Sequence, residues 1–113
     1  MDCGLNKIMI IGHLGRDPEM RFTPNGKSVT FFSIKNNHDW KNVDGEIQTR
    51  SEWFSVIAWG ELAETVKQTL KMNDLAYVEG RLQSRSWIDQ SGNQQISNEI
   101  VAQVILNLSD NLQ

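Results

Sequence analysis

The chain has 113 residues, 39% hydrophobic and 22% charged, with eleven basic and fourteen acidic side chains and a formal net charge of -3. That length supports one domain with one modest core, since a chain of this mass exposes about 6,300 Å² when folded against about 18,700 Å² unfolded. No apolar run reaches the ~20 residues of a membrane helix, two prolines and eight glycines exclude a collagen-like or linker-dominated chain, and the single cysteine, Cys3, can form neither an internal disulfide nor a zinc cluster.

Met1 to Asn6 runs directly into a strand pattern, without the charged-then-apolar leader of a secreted protein. From Lys7 to Leu14 both faces are aliphatic: Ile8, Ile10 and Leu14 on one, Met9 and Ile11 on the other. Such a strand is covered on both sides, here by the core on one and by a second subunit on the other. Arg16-Asp17-Pro18 breaks it, and Met20 to Thr23 is expected to form a short further strand. Thr23-Pro24-Asn25-Gly26 is a turn signal. Ser28 to Lys35 is rich in strand formers. Asn36 to Gln48 is polar, holds Asp44-Gly45 and reads as a long loop.

Ser51 to Trp59 alternates clearly, with Trp53, Ser55, Ile57 and Trp59 on one face and Phe54, Val56 and Ala58 on the other. Glu61 to Met72 is predicted as the helix: Leu62, Val66 and Leu70 form an apolar stripe, with Glu61 and Glu64 in the first turn and Lys71 in the last to suit the helix dipole. Leu75 to Gln83 is a strand, Asp89-Gln90-Ser91-Gly92-Asn93 a hairpin tip, and Ile96 to Leu108 the last strand. The pattern predicts an all-β OB-fold: a five-stranded antiparallel Greek-key barrel with one α-helix between strands 3 and 4 and a long hairpin joining strands 4 and 5. Other small barrels with one helix share that element order. The domain is expected over residues 1–108, with a short polar terminus over 109–113.

Four tryptophans are unusual in a chain of this size. Packing in the core is a tryptophan's ordinary role. Trp40, in the polar loop, and Trp87, at the base of the long hairpin, sit among Asn, Asp, Gln and Ser, where that role does not fit. Trp53 and Trp59 share a face with Ser55. Flat rings beside Lys and Arg suit single-stranded nucleic acid, because every base has a π-face and each stack is worth about 1–3 kcal/mol. The net acidity disfavours a purely electrostatic grip, and no basic residue follows Arg85. Any cationic track has to come from Lys7, Arg16, Arg21, Lys27, Lys35, Lys41, Arg50, Lys67, Lys71, Arg81 and Arg85, and of these Lys7, Arg21, Lys35, Arg50 and Arg85 are the candidate backbone contacts. His13 and His38 lie alone, no P-loop or zinc-finger spacing occurs, and no enzyme activity, cofactor or metal site is expected.

Three stretches carry a family resemblance: Asn6 to Glu19 continuing through Pro24-Asn25-Gly26; Glu52-Trp53-Phe54-Ser55-Val56-Ile57-Ala58-Trp59-Gly60-Glu61-Leu62-Ala63-Glu64; and Tyr77-Val78-Glu79-Gly80-Arg81-Leu82 through Arg85-Ser86-Trp87 and Asp89-Gln90-Ser91-Gly92. Their order and gaps resemble bacterial-type single-stranded DNA-binding (SSB) proteins over about Asn6 to Leu108. The resemblance implies a homotetramer, a dimer of dimers, that wraps single-stranded DNA without strong sequence preference in replication, repair and recombination. It implies a cytoplasmic, nucleoid-associated protein with no membrane partner.

By the same resemblance Trp40, Trp53 and Trp87 take stacking positions, and Trp59 replaces a common phenylalanine. Lys7, Arg21 and Arg85 match basic positions along the DNA path. Tyr77 and the strand holding Ile8, Met9, Ile10 and Ile11 match subunit contacts. Ser55, Glu61, Gln83 and Ser86 stand where well-studied members have basic residues, so fewer phosphate contacts and a shallower salt dependence are expected. Members usually continue into a Gly/Pro/Gln-rich segment whose acidic tip docks on replication and repair proteins. This sequence stops at Asp110-Asn111-Leu112-Gln113, which leaves that recruitment open. An alternative on the same fold is a tail-less accessory subunit of primosomal type, binding protein partners strongly and DNA weakly.

Overall fold

The computed structural model describes residues 4–109; Cys3 and the polar terminus over 110–113 lie outside the described residues. Six strands and one helix follow in the order β1 (Ile8–Leu14), β2 (Glu19–Phe22), β3 (Ser28–Lys41), β4 (Ile47–Trp59), α1 (Glu61–Thr69), β5 (Leu75–Ile88) and β6 (Gln94–Asn107). The sheet runs β1-β5-β6-β4-β3-β2, and a further β1–β3 pairing closes five of the strands into a barrel. This is the OB-fold, with β2 added at one edge of β3 and α1 between the third and fourth barrel strands. The pairings are antiparallel except β4 with β6, which run parallel over Ser55↔Glu99, Val56↔Ile100 and Ile57↔Val101.

Alternation puts the core where the sequence pattern placed it. Leu14, Phe32, Ile34, Val56, Ala58, Val78 and Ile100 point inward and are buried, with Ile8, Ile10 and Phe54 packed against them. Helix α1 plugs one end of the barrel with Ala63 and Val66, and Leu70 follows just past its last turn. The helix is shorter than the predicted Glu61 to Met72. At Leu70 the backbone turns extended, because the 71–74 loop is claimed by other partners. Asp17 accepts from the Met72 amide at 2.8 Å and Leu14 accepts from the Asn73 amide at 3.0 Å. Lys67, not Lys71, is therefore the basic residue of the last turn. The helix start is tied to β3 by the buried Thr30 hydroxyl, which donates to the Ala63 carbonyl at 2.8 Å. Thr30→Val, which keeps the shape and removes that bond, is expected to cost about 1 kcal/mol in urea unfolding.

The predicted long loop over Asn36 to Gln48 is instead a hairpin. β3 and β4 stay paired out to Lys41↔Ile47, and only residues 42–46 turn. Polar cross-strand bonds replace apolar burial there: Ser51 donates to Asn37 at 2.7 Å and Thr49 to Asp39 at 2.8 Å. β5 and β6 likewise pair out to Ile88↔Gln94, so Trp87 lies beside the hairpin tip, not at its base. Both tips are built alike. The side chain of Asn42 accepts from the amides of Asp44 and Glu46, and that of Asp89 from the amides of Ser91 and Asn93. The two arms explain an accessible surface of 8256 Å², well above the about 6,300 Å² of a compact chain of this mass.

Candidate nucleic-acid interface

Outward-facing residues of five strands form one continuous sheet surface. The register aligns Trp53, Ser55, Ile57 and Trp59 of β4 with Lys35, Ser33, Phe31 and Val29 of β3, and β2 adds Glu19 and Arg21 beside Phe31 and Val29. On the other flank, Ser55 meets Glu99 of β6. Gln83, Arg85 and Trp87 of β5 lie against Glu99, Ser97 and Gln95. Trp53 and Trp59, six residues apart on one strand, are about 20 Å apart along it. The middle of the surface is a groove whose lining includes Arg16, Arg21, Arg85, Ser55 and Glu99.

Three indoles of this face each carry a cation. Lys27 lies 4.9 Å from the Trp59 ring centre, Lys35 5.9 Å from Trp53 and Arg85 5.2 Å from Trp87. All three rings stay substantially exposed, Trp53 most at 57%. The Trp53 ring rests on Gly15, where a Cβ would come within 2.4 Å of it; only glycine lets the indole lie down on the β1 end. A ring backed by protein on one side and open on the other is a platform for one base. Lys27 and Arg16 belong to the eleven cations available for a track but are not among the five candidates singled out, and Gly15 carries no such expectation. Lys27 is brought to Trp59 by the β3–β4 register, which pairs Val29 with Trp59 and which the sequence alone does not set.

Trp40 and Arg50 lie elsewhere. Alternation along the β3–β4 arm puts them on the face opposite Trp53, where Trp40 stacks with His38 at 6.0 Å and 20° and Arg50 stands opposite His38. A strand touching both Trp53 and Trp40 has to pass around the arm. Lys7 is on neither of these faces. It pairs with Glu79 at 3.4 Å, on the outer surface of β1, β5 and β6. There Met9, Ile11, Val104 and Leu106 are exposed around Tyr77. Ile8 and Ile10 point inward against the core. The Tyr77 hydroxyl donates to Glu79 at 2.6 Å. That bond holds the Glu79 carboxyl below its ordinary range against partial desolvation, with help from Lys7, and pushes the Tyr77 hydroxyl up.

No group of three or more potential metal ligands occurs among the described residues. No helix among them is long and apolar enough to cross a membrane.

An OB-fold barrel with three cation-capped indoles on one sheet face and two projecting arms has the build of a single-strand binder's domain. The model of the Single-strand binding protein family matches residues 5–108, and the chain belongs to that family. It is 48% identical over 99 residues to single-stranded DNA-binding protein 1 of Chlorobaculum tepidum, covering 87% of this chain and 61% of the relative. The chain thus spans under two thirds of that relative's length. Its fold also matches a solved chain described as a Plasmodium falciparum SSB complex with ssDNA. The TM-score is 0.88 at 24% identity, covering 96% of this chain and 98% of the other.

Proposed function

We propose that this protein binds single-stranded DNA with little sequence preference and without catalysis, shielding it in replication, repair and recombination. The observation that carries the reading is the shared sheet face on which Trp53, Trp59 and Trp87 are exposed, each beside a Lys or Arg. Stacking needs an unpaired base, so the face selects single strands over duplexes. Lys35, Arg21 and Arg85 steer the backbone across the face. Trp40 and Arg50 engage DNA that continues around the β3–β4 arm. The test is competition for a fluorescent oligo-dT: unlabelled single strand is expected to displace it, and duplex of equal length is not. Equal displacement by duplex would contradict stacking.

The reading includes self-assembly into a tetramer. Met9 and Ile11 present apolar side chains outward with Tyr77 and Leu106 beside them. Residues 8–10 of β1 pair only with β5, leaving that part of the strand's other edge to a second copy; from Ile11 on β3 covers it, with the Asn36 side-chain amide donating to the Ile11 carbonyl at 2.9 Å. Assembly places several weak faces on one particle and raises affinity through effective concentration. Met9 is exposed in the protomer, so Met9→Asp is expected to keep the fold and reduce the particle size in light scattering. An unchanged tetramer would contradict this interface.

A further inference from the structure

Among the described residues three ion pairs tie an arginine to an acid on its own strand or an adjacent one, and the fourth joins Lys7, just before β1, to Glu79 of β5. Three of the four involve arginines that the binding reading relies on: Arg21 with Glu19 at 3.0 Å, Arg50 with Glu52 at 3.4 Å and Arg85 with Glu99 at 3.4 Å. Glu99 stands out. Its side chain is only 8% exposed, yet it faces outward from β6 and lines the groove together with Glu19, Arg16 and Arg21. A half-closed groove meant for a polyanion thus has a carboxylate in its wall, and that carboxylate holds the arginine lying over Trp87.

We infer that the binding surface, the sheet face together with the far side of the β3–β4 arm that holds Arg50 and Glu52, carries its own counter-ions. Glu19, Glu52 and Glu99 hold Arg21, Arg50 and Arg85, and a bound strand exchanges carboxylate for phosphate at each. The inference rests on the single-strand reading and goes beyond it, giving these acids the role of setting affinity and salt dependence.

The consequence is thermodynamic. When a free cation neutralises a phosphate on a single strand, condensed counter-ions leave and log K falls with log salt by about 0.7 per contact. When the cation comes from a carboxylate, that acid is left bare and draws a cation from solution. Uptake on the protein then cancels release from the DNA. Three arginines that contact phosphate would therefore contribute little to the slope. The exchange is feasible at the exposed pairs because such pairs bind weakly in water. It is most restrictive at Glu99, where little solvent reaches the bared charge.

The test is oligo-dT affinity against NaCl for wild type and three single variants that change net charge equally: Glu19→Gln, Glu99→Gln and Glu64→Gln. Glu64 lies in the first turn of α1, off the binding face, and controls for net charge alone. Glu19→Gln and Glu99→Gln are each expected to bind tighter at low salt. The slope of Glu19→Gln is expected to be steeper by about 0.7, an extra loss of about fivefold in affinity over a tenfold rise in salt, and that of Glu99→Gln by less, because little solvent reaches its carboxylate. Glu64→Gln is expected to run parallel to wild type. Glu19 is exposed, so its variant keeps the test valid should the buried Glu99 change prove unstable. Parallel slopes for all three variants, or equal steepening in Glu64→Gln, would overturn the inference while leaving single-strand binding intact. Wild type that fails to bind oligo-dT at low salt would bring down the binding reading and this inference together.

Discussion

Replacing Trp53 and Trp87 together by alanine is expected to weaken oligo-dT binding by about 2–6 kcal/mol while leaving the fold unchanged, from about 1–3 kcal/mol per lost stack. Neither ring belongs to the buried cluster inside the barrel, so truncation removes surface and not core. Trp53 has Gly15 against its ring and the Lys35 ammonium over it at 5.9 Å, a loose enough cap on a 57% exposed ring for a flexible lysine to move aside for a base. Trp87 is held near the tip of the β5–β6 arm with Arg85 above it. A base arriving there either displaces the guanidinium or takes the other face of the indole. The two single variants are expected to sum imperfectly if one strand spans both rings. Circular dichroism checks the fold, and anisotropy of labelled oligo-dT reads the affinity. Wild-type affinity in both single variants would remove stacking at those rings.

The second large effect is on stability. Gly12 lies where β1 crosses β3, and a Cβ there would sit 2.3 Å from the Lys35 carbonyl oxygen and 2.9 Å from its carbon. These are backbone atoms and cannot rotate aside. Relief requires opening the β1–β3 seam, which consists of His13↔Lys35 and Leu14↔Ile34 and which closes the barrel. Gly12→Ala is expected to cost about 3 kcal/mol, at the upper end for overpacking, and to lower Tm by about 10–20 °C. Alanine at Gly4, which has nothing within 4 Å of its Cβ position, is the matched control. A melting temperature unchanged from wild type would contradict the close crossing.

The barrel was legible in the sequence because one face of each strand is apolar. Over Ser51 to Trp59, Phe54, Val56 and Ala58 alternate with Trp53, Ser55, Ile57 and Trp59, and the β-branched and aromatic content with Gly60 closing the run favours a strand. The arms were not legible for the same reason. Beyond Lys35 and Gln83 most residues are polar and the scattered apolar ones, such as Ile47, Ile88 and Ile96, stay exposed, and alternation carries no signal when neither face is buried. Trp40 consequently read as a loop residue and Trp87 as a base residue, although the turn chemistry of Asp89 to Asn93 marked its tip correctly. The helix end was missed because Leu70 continues the apolar stripe while its backbone is already extended.

Among the site residues, Glu19 with Arg21 and Arg50 with Glu52 are two apart on one strand, so their pairing follows from period two. Arg85 with Glu99 needs the register of the β5–β6 hairpin, which places Arg85 opposite Ser97 and Glu99 one step along the same face. The resemblance grouped Trp40 with the other tryptophans; alternation in the folded arm separates it onto the opposite face.

The most direct test of the binding face is tryptophan fluorescence during titration with oligo-dT, at low and at high salt. Stacked bases are expected to quench the exposed indoles, with saturation at a fixed ratio of nucleotides to protein and most of the quenching retained at high salt. Little or no quenching at low salt, from protein that is folded by circular dichroism, would contradict the assignment of this face to single-stranded DNA.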